Sequence, residues 1–353
     1  MGDVCRRAGP TIDLSKRLTV MESFGAIRET TNPYQIQLVR ALSAHVDVRL
    51  FAWRGALLGN LDAVHVHWPE VLIRDRTLAR TSARRVLFFL LLLRLRLGHK
   101  ALVRTLHNVA PHEPGAVVES WLLRLADRWT THWITLNEFT PRPTIAPATL
   151  IPHGDYRAWF ADHLLPPSEP GRLLYFGRVR IYKGVGGLVT AFLALADPTL
   201  RLRIVGVPDD APVADLVRDA ARADGRISAV LRHATSAEAA AEFGRAELVV
   251  LPYPTMHNSG AALLALSLGR PVLVPRNEVT DALAREVGPA WVIRYEGAFG
   301  SGHLRAAVSA LRAHPPSGAP DLSRRIWSEI GRAHAEAFAC AAKAARSRSR
   351  MSR

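Results

Sequence analysis

Arg178 and Lys183 lie five positions apart in Phe176-Gly-Arg-Val-Arg-Ile-Tyr-Lys-Gly-Val185, where an apolar run gives way to a helix-like one. Two fixed cations beside the amino end of a helix suit a diphosphate that becomes a leaving group, because both neutralise charge that develops in the transition state. A second segment points to the same chemistry. Leu248-Val-Val-Leu-Pro252 reads as a strand, Asn258, Ser259 and Gly260 open a helix, Gly269 stops it, and an apolar run from Pro271 to Pro275 follows at once. Free N–H groups and the helix dipole make such an opening an anion pocket. Taken singly, the first segment is also a basic loop in a basic protein, and the second an ordinary capped helix. Taken together they favour a diphosphate cradle.

The first half of the chain carries groups suited to proton transfer. His65-Val-His-Trp-Pro-Glu70 ends a strand-like run, and alternation puts His65 and His67 on one face. Thr105-Leu-His-Asn-Val-Ala-Pro-His-Glu113 leaves the next run, and Ile151-Pro-His-Gly-Asp-Tyr156 closes this half. Histidines and glutamates at strand ends invite a zinc reading, but the spacing fits no common ligand set, so no metal is expected. Deprotonating a hydroxyl needs only one carboxylate or imidazole. Glu113, His112 and Glu70 are the candidates, and each equally suits a structural hydrogen bond. Near the amino terminus, Ser23-Phe-Gly-Ala-Ile-Arg-Glu-Thr-Thr-Asn-Pro-Tyr34 follows the first strand and caps a helix. Asn32 and Tyr34 there, with His107 and Asn108, are the candidate acceptor-binding residues, although a plain strand-to-helix turn fits the same spacing.

These groups need edges to sit on, and the chain supplies them by alternating strand and helix. Strand candidates in the first half are 17–22, 46–52, 63–68, 101–106, 133–136 and 149–152, with helices at 33–44, 75–97 and 119–130. After the Pro/Gly/Ser-rich stretch 166–171 come strands at 173–176, 200–205, 228–231, 248–252, 271–274 and 290–294. Helices intervene at 184–196, 212–223, 236–243, 259–268 and 280–286. The expected fold is α/β: two doubly wound parallel-sheet domains facing a crevice, with a C-terminal helix. The expected organisation is a flexible extension at 1–17, an acceptor-side domain at 18–165 and a linker at 166–171. A nucleotide-binding domain at 172–320, a helical segment at 321–344 and a basic tail at 345–353 follow.

The 353 residues suffice for two cores, and 48% hydrophobic content is that of a globular chain. Cys5 and Cys340, near opposite ends, exclude a disulfide framework and a cysteine-based metal site, which leaves a reducing, cytoplasmic setting as the default. Residues 1 to 17 are polar and basic, with no apolar signal segment. A formal charge of +15 asks for an anionic partner. Specific nucleic acid is not expected, since no zinc-finger spacing, RNP signature or long basic arm is present. Between Arg74 and Arg104 nine basic residues face the single acid Asp75 and enclose Val86-Leu-Phe-Phe-Leu-Leu-Leu-Leu93. That apolar stretch is too short for a bilayer, which needs ~20 residues. It suits an anionic membrane surface, where each basic residue contributes about 1 kcal/mol, and it equally suits a buried helix with solvated arginines.

Several motifs occur in one order from roughly Leu18 to Pro289: Thr-Asn-Pro-Tyr34, His-Val-His-Trp-Pro-Glu70, Arg-Thr-Leu-His-Asn-Val-Ala-Pro-His-Glu113 and Tyr-Lys-Gly-Val185. Met-His-Asn-Ser-Gly260, Ala-Leu-Ser-Leu-Gly-Arg-Pro-Val-Leu273 and Glu-Val-Gly-Pro289 continue it. With them the chain resembles glycosyltransferase family 94, the xanthan-type GDP-mannose:glycolipid 4-β-D-mannosyltransferases. The resemblance implies a GT-B fold, GDP-mannose as donor substrate with no cofactor, and a polyprenyl-diphosphate-linked oligosaccharide ending in glucuronate as acceptor. It also implies a role in exopolysaccharide assembly and peripheral attachment to the inner face of the cytoplasmic membrane.

Arg178 and Lys183 match the superfamily's diphosphate-gripping pair. Many retaining relatives carry two glutamates where this chain has Met256 and Leu264, eight apart. The ribose contact then falls to Glu278 or Glu296, and the resemblance suggests inversion, with Glu113 as base and His112 and Glu70 behind it. The alternatives are a GT-B enzyme with another donor or acceptor, and a basic nucleic-acid or lipid-headgroup binding protein without catalysis.

Overall fold

The computed structural model describes residues 17–28, 31–107 and 116–351, with backbone alone at 349–351. The extension expected at the amino terminus therefore lies outside the described residues up to position 16, as do Asn108, His112 and Glu113. Chain contacts divide the protein into two units, residues 1–154 with 325–353, and residues 155–324.

In the first unit the elements run β1 (Thr19–Glu22), α1 (Pro33–Ser43), β2 (Asp47–Leu50), α2 (Trp53–Leu58), β3 (Ala63–Val66), α3 (Pro69–Ile73) and α4 (Leu78–Leu97). Then come β4 (Ala101–Leu106), α5 (Val117–Trp129), β5 (His132–Thr135) and β6 (Ala148–Leu150). The strands form one parallel sheet in the order β2-β1-β3-β4-β5-β6. Residues of β3 and β4 are buried throughout, as expected of central parallel strands covered on both faces. On one face Val20, Ala63, Val103 and Ile134 pack with Tyr34, Leu38 and Leu42 of α1. On the other, Met21, Val64, Val66 and Leu102 pack with Ile73, Phe88, Leu91, Leu92 and Leu122 of the helices α3 to α5.

The second unit contains α6 (Arg157–Phe160), β7 (Arg172–Phe176), α7 (Val185–Leu193), β8 (Arg201–Val205), α8 (Ala211–Ala223), β9 (Ile227–Val230) and α9 (Ser236–Arg245). It continues with β10 (Leu248–Val250), α10 (Gly260–Ser267), β11 (Val272–Pro275), α11 (Glu278–Val287), β12 (Val292–Tyr295) and α12 (Ser301–Ala313). Its parallel sheet has the order β12-β11-β10-β7-β8-β9 around a single apolar core. The last helix, α13 (Trp327–Met351), belongs to the first unit. Ile330, Ala337, Phe338, Ala341 and Ala345 of α13 complete the apolar face that α1 begins.

Two expectations about organisation need correction. The unit boundary falls at 154/155, ahead of the 166–171 stretch expected to be the linker. Tyr156 and Phe160 are buried in the second core, and the Glu169 N–H donates to the Arg245 carbonyl at 2.8 Å, so 155–171 is structured against the second unit. The basic tail expected at 345–353 is helix up to Met351, because buried Ala341, Ala342 and Ala345 anchor that turn and Arg346 pairs with Asp62 at 3.2 Å.

Candidate functional site

In the second unit the chain steps outward from β7 in both directions, so the topological switch lies between β7 and β10. Ligands of doubly wound sheets bind at the carboxyl ends of the strands flanking such a switch. The two loops there are the ones carrying Arg178 and Lys183 on one side and Tyr253 to Gly260 on the other. A glycine holds them together. Gly184 has φ +75, and a Cβ placed on it would lie 2.0 Å from the Pro252 carbonyl oxygen. Lys183, just before it, sets its ammonium 5.0 Å from the centroid of the Tyr253 ring. Burial, with Arg180 and Arg178 nearby, lowers the Lys183 pKa to about 8. Burial also raises the Tyr253 phenol, which neighbours Ser259.

Arg178 pairs with Asp209 at 2.5 Å, and Arg180 with the same carboxylate at 2.6 Å. Ser259 caps α10, its Oγ accepting from the Ala262 N–H at 3.2 Å, so the amides of Gly260 and Ala261 stand at an open helix end. Asn277 caps α11 and donates its side-chain N–H to the Met256 carbonyl at 2.7 Å, which ties the start of α11 to the loop before α10. Glu278 is the exposed first residue of α11. Glu296, beyond β12, is exposed and paired with Arg276 at 2.9 Å. The unit thus gathers Arg178, Lys183 and Ser259 at one edge. Glu278 and Glu296 lie further along it, past β11 and β12.

In the first unit the switch lies between β1 and β3. There the structure places a buried chain of polar groups. Glu22, last in β1, is 0% exposed and sits opposite His65 in the β1–β3 register. Its two oxygens lie 2.9 Å from His65 Nδ1 and 2.9 Å from His67 Nε2. His65 Nε2 meets Thr105 Oγ1 at 2.7 Å, and His67 Nδ1 meets His107 Nε2 at 2.9 Å. Burial alone would raise the Glu22 carboxyl, but its bonds to His65 and His67 outweigh that and hold it at about 2. Burial, reinforced by His65, lowers His67 to about 4, while Glu22 partly opposes the shift.

Of the expected acceptor residues, Asn32 caps α1, its Oδ1 accepting from the Tyr34 N–H at 3.0 Å. Tyr34 is buried, with ring centroids of His107 and His153 at 5.6 and 4.5 Å, so it walls the histidine chain. Glu70 is half-buried in the first turn of α3, on the side of Arg104. The residue that spacing did not single out is Glu22. An acid closing an otherwise apolar strand was the available signal, and its meaning depends on the register with β3.

The arginines between Arg74 and Arg104 divide into two sets. Arg74 and Arg85 pair with buried Glu119 at 2.8 and 3.8 Å, Arg84 with Asp75 at 2.9 Å, and Arg104 with Asp127. Arg94 donates to the Ala56 and Gly59 carbonyls. Arg76, Arg80 and Arg96 are exposed. So are Leu78, Val86, Leu90 and Leu97 on α4 and Val117, Val118 and Trp121 on α5. Among the described residues no helix is long and apolar enough to cross a membrane.

Two parallel Rossmann-like sheets, the second with a cationic loop at its switch point, give the chain a GT-B fold. Solved structures agree on the fold. Anabaena Alr3699/HepE in complex with UDP matches with a TM-score of 0.58 at 12% identity, covering 95% of this chain and 99% of that one. AviGT4, a glycosyltransferase involved in avilamycin A biosynthesis, has a TM-score of 0.58 at 15% identity, covering 92% and 98%. No protein-family model matches the chain. A GDP-mannose:glycolipid 4-β-D-mannosyltransferase from Xanthomonas campestris pv. campestris, however, is 46% identical over 319 residues, covering 90% of this chain and 91% of the relative. The chain belongs to the family of GDP-mannose:glycolipid 4-β-D-mannosyltransferases, and it is an enzyme.

Proposed function

We propose that the enzyme transfers mannose from GDP-mannose, with inversion, to a polyprenyl-diphosphate-linked oligosaccharide ending in glucuronate. The step belongs to exopolysaccharide assembly at the inner face of the cytoplasmic membrane. The observation that carries the donor side is the desolvated Lys183 ammonium, held against Tyr253 beside Arg178 at the switch point of the second sheet. A cation removed from water attracts a departing diphosphate more strongly than a solvated one, and it is positioned before the reaction begins. The name of the 46% identical relative supports GDP-mannose as donor and a glycolipid as acceptor.

Inversion is supported by the residues in the places of the retaining-type glutamates. Met256 is buried at 6% exposure and Leu264 packs on the apolar core, so neither position offers a carboxylate to the sugar. Direct attack on an α-linked donor then gives a β-linked product. Lys183 and Arg178 supply the charge the leaving group needs, so this mechanism uses no metal and no cofactor beyond the donor. The exposed apolar residues of α4 and α5, with Arg76, Arg80 and Arg96, support seating on an anionic lipid surface rather than specific nucleic-acid binding.

Calorimetric titration with GDP, GDP-mannose, UDP and UDP-glucose tests the donor, followed by transfer of labelled mannose to a lipid-linked acceptor. GDP compounds are expected to bind and UDP compounds not to. Lys183→Ala and Arg178→Ala are each expected to lower kcat/KM by two or more orders of magnitude. Full activity in both variants would remove the diphosphate role, and selective UDP binding would remove the donor.

A further inference from the structure

Arg178 and Arg180 are placed alike by the backbone. Past the ends of β7 and β8 the two segments stay paired: the Val179 N–H donates to the Val207 carbonyl at 2.9 Å, and the Asp209 N–H to the Val179 carbonyl at 3.1 Å. Gly206 permits the approach, since with φ +151 a Cβ on it would stand 1.7 Å from the Gly177 carbonyl oxygen. Val179 is buried in the core, so alternation turns Arg178 and Arg180 to the opposite side. Asp209, from the paired segment, meets both of them there. Its Oδ1 lies 2.5 Å from the Arg178 guanidinium and its Oδ2 2.6 Å from Arg180 Nε.

One carboxylate between two guanidiniums leaves charge uncancelled, and among the described residues no second acid pairs with either arginine. Lys183 is part of the same set: burial comes first in lowering it, but Arg180, Arg178 and Asp209 act on it as well. Three cations and one anion leave two net positive charges at this loop. A nucleotide sugar carries one negative charge on each of its two phosphates, which balances them. Transfer breaks the bond from the sugar to the diphosphate and leaves its electron pair on the terminal phosphate. The second pKa of such a group is about 6, so the departing nucleoside diphosphate carries close to one charge more. Without Asp209 the loop would match the product instead of the donor.

We propose that Asp209 is a specificity-determining residue that fits the charge of this loop to the nucleotide sugar and not to the nucleoside diphosphate, and so eases product release. The proposal rests on the diphosphate role of Arg178 and Lys183, not on which base or sugar the donor carries. Asp209 acts through the two arginines as a positioning residue. It holds both guanidiniums in the unliganded enzyme, competes with phosphate for them, and repels the extra charge that the reaction uncovers. Discrimination then comes from a built-in repulsion against the product, not from a new contact to the donor. The Arg180 and Asp209 side chains are 22% and 31% exposed, so solvent and salt screen the repulsion only in part.

Calorimetric titration of the whole enzyme without acceptor, using GDP and GDP-mannose, or UDP and UDP-glucose if the wild type binds those, reads the ratio of the two affinities. Asp209→Asn is expected to tighten the nucleoside diphosphate about tenfold and the nucleotide sugar less, so the ratio moves toward product. In turnover, inhibition by product strengthens and kcat falls, while KM for the donor moves less. Asp209→Glu is expected to keep the wild-type ratio. Asp215→Asn, which makes the same charge change at an exposed pair with Arg218 on α8, is expected to leave the ratio unchanged. If Asp209→Asn does not fold, Arg180→Gln reads the opposite shift, weakening the nucleoside diphosphate more than the nucleotide sugar. An unchanged ratio or weaker product binding in Asp209→Asn, or an equal shift in Asp215→Asn, would overturn the role of Asp209 alone. A wild type that binds neither nucleotide pair would overturn the diphosphate role of the loop, and this proposal with it.

Discussion

Gly184 and Pro252 approach so closely that no side chain fits between them: a Cβ on Gly184 would stand 2.0 Å from the Pro252 carbonyl oxygen. The contact joins the loop after β7 to the loop after β10 and so fixes Lys183 against Tyr253. Gly184→Ala meets a left-handed φ of +75 as well as the clash. The backbone term alone costs about 1–2 kcal/mol. The variant is expected to unfold at lower temperature and to lose most of its GDP affinity. Wild-type affinity in the variant would mean that the loop contact does not shape the donor site.

On the role proposed for Lys183, donor binding depends on pH in a defined sense. With its pKa at about 8, the ammonium is mostly charged at pH 7 and is lost as pH rises through 8. The Kd for GDP is therefore expected to increase between pH 7.5 and 9.5. Bound diphosphate raises the lysine pKa, so the loss is steepest at low ligand occupancy. Lys183→Arg, charged throughout, should flatten that dependence even if its affinity is lower. A flat profile in the wild type would assign the binding charge to Arg178 alone.

Buried histidines set a second pH dependence, this time of folding. His67 and His153 are held at about 4 and His334 at about 3, all by burial, against 6.5 for the free side chain. Because the unfolded chain binds these protons first, the stability they allow is complete above about 6.5 and is lost as pH falls toward the folded values. Glu22, at about 2 against 4.5, adds a further loss below 4.5. The urea midpoint is expected to fall between pH 7.5 and pH 5. An unchanged midpoint would show that the histidines are more solvated than their packing indicates.

Much of this fold was legible because each strand is a short apolar run and each intervening helix keeps its spacing. Twelve strand candidates correspond to the twelve strands described, with ends shifted by a few residues. No expectation was drawn for α12, although Leu304, Ala307, Val308 and Leu311 show the buried i, i+3, i+4, i+7 pattern. Glu22 illustrates the opposite case. Its partners are more than forty positions away in sequence, so only the parallel register of β1 with β3 turns an acid at a strand end into the centre of a histidine cluster. The return of α13 to the first unit was likewise invisible, since amphipathic spacing names a buried face but not the sheet that covers it.

The membrane reading makes its own test on α4 and α5. Trp121 is 47% exposed and Leu78 89%, with Arg76 and Arg80 on the same exposed segment. Wild-type protein is expected to sediment with anionic vesicles and less with neutral ones, with a salt-sensitive share from the arginines. Trp121→Glu with Leu78→Glu should weaken vesicle binding while leaving GDP titration unchanged, because neither residue lies in the second unit. Equal binding of wild type and double variant would reassign the exposed apolar residues to a protein partner.

The C-terminal helix offers the plainest structural test. Phe338 is fully buried against His65, with ring centroids 5.1 Å apart, and belongs to the core that Leu38, Leu42 and Val103 share. Removing such a ring costs about 3–5 kcal/mol, a large part of a domain's net stability. Phe338→Ala is therefore expected to lower the unfolding midpoint of the first unit. A truncation before Trp327 should leave residues 17–154 unable to fold, while residues 155–324, whose core is self-contained, still give a cooperative transition. A cooperatively folding 17–154 fragment would show that α13 docks on a finished sheet instead of completing it.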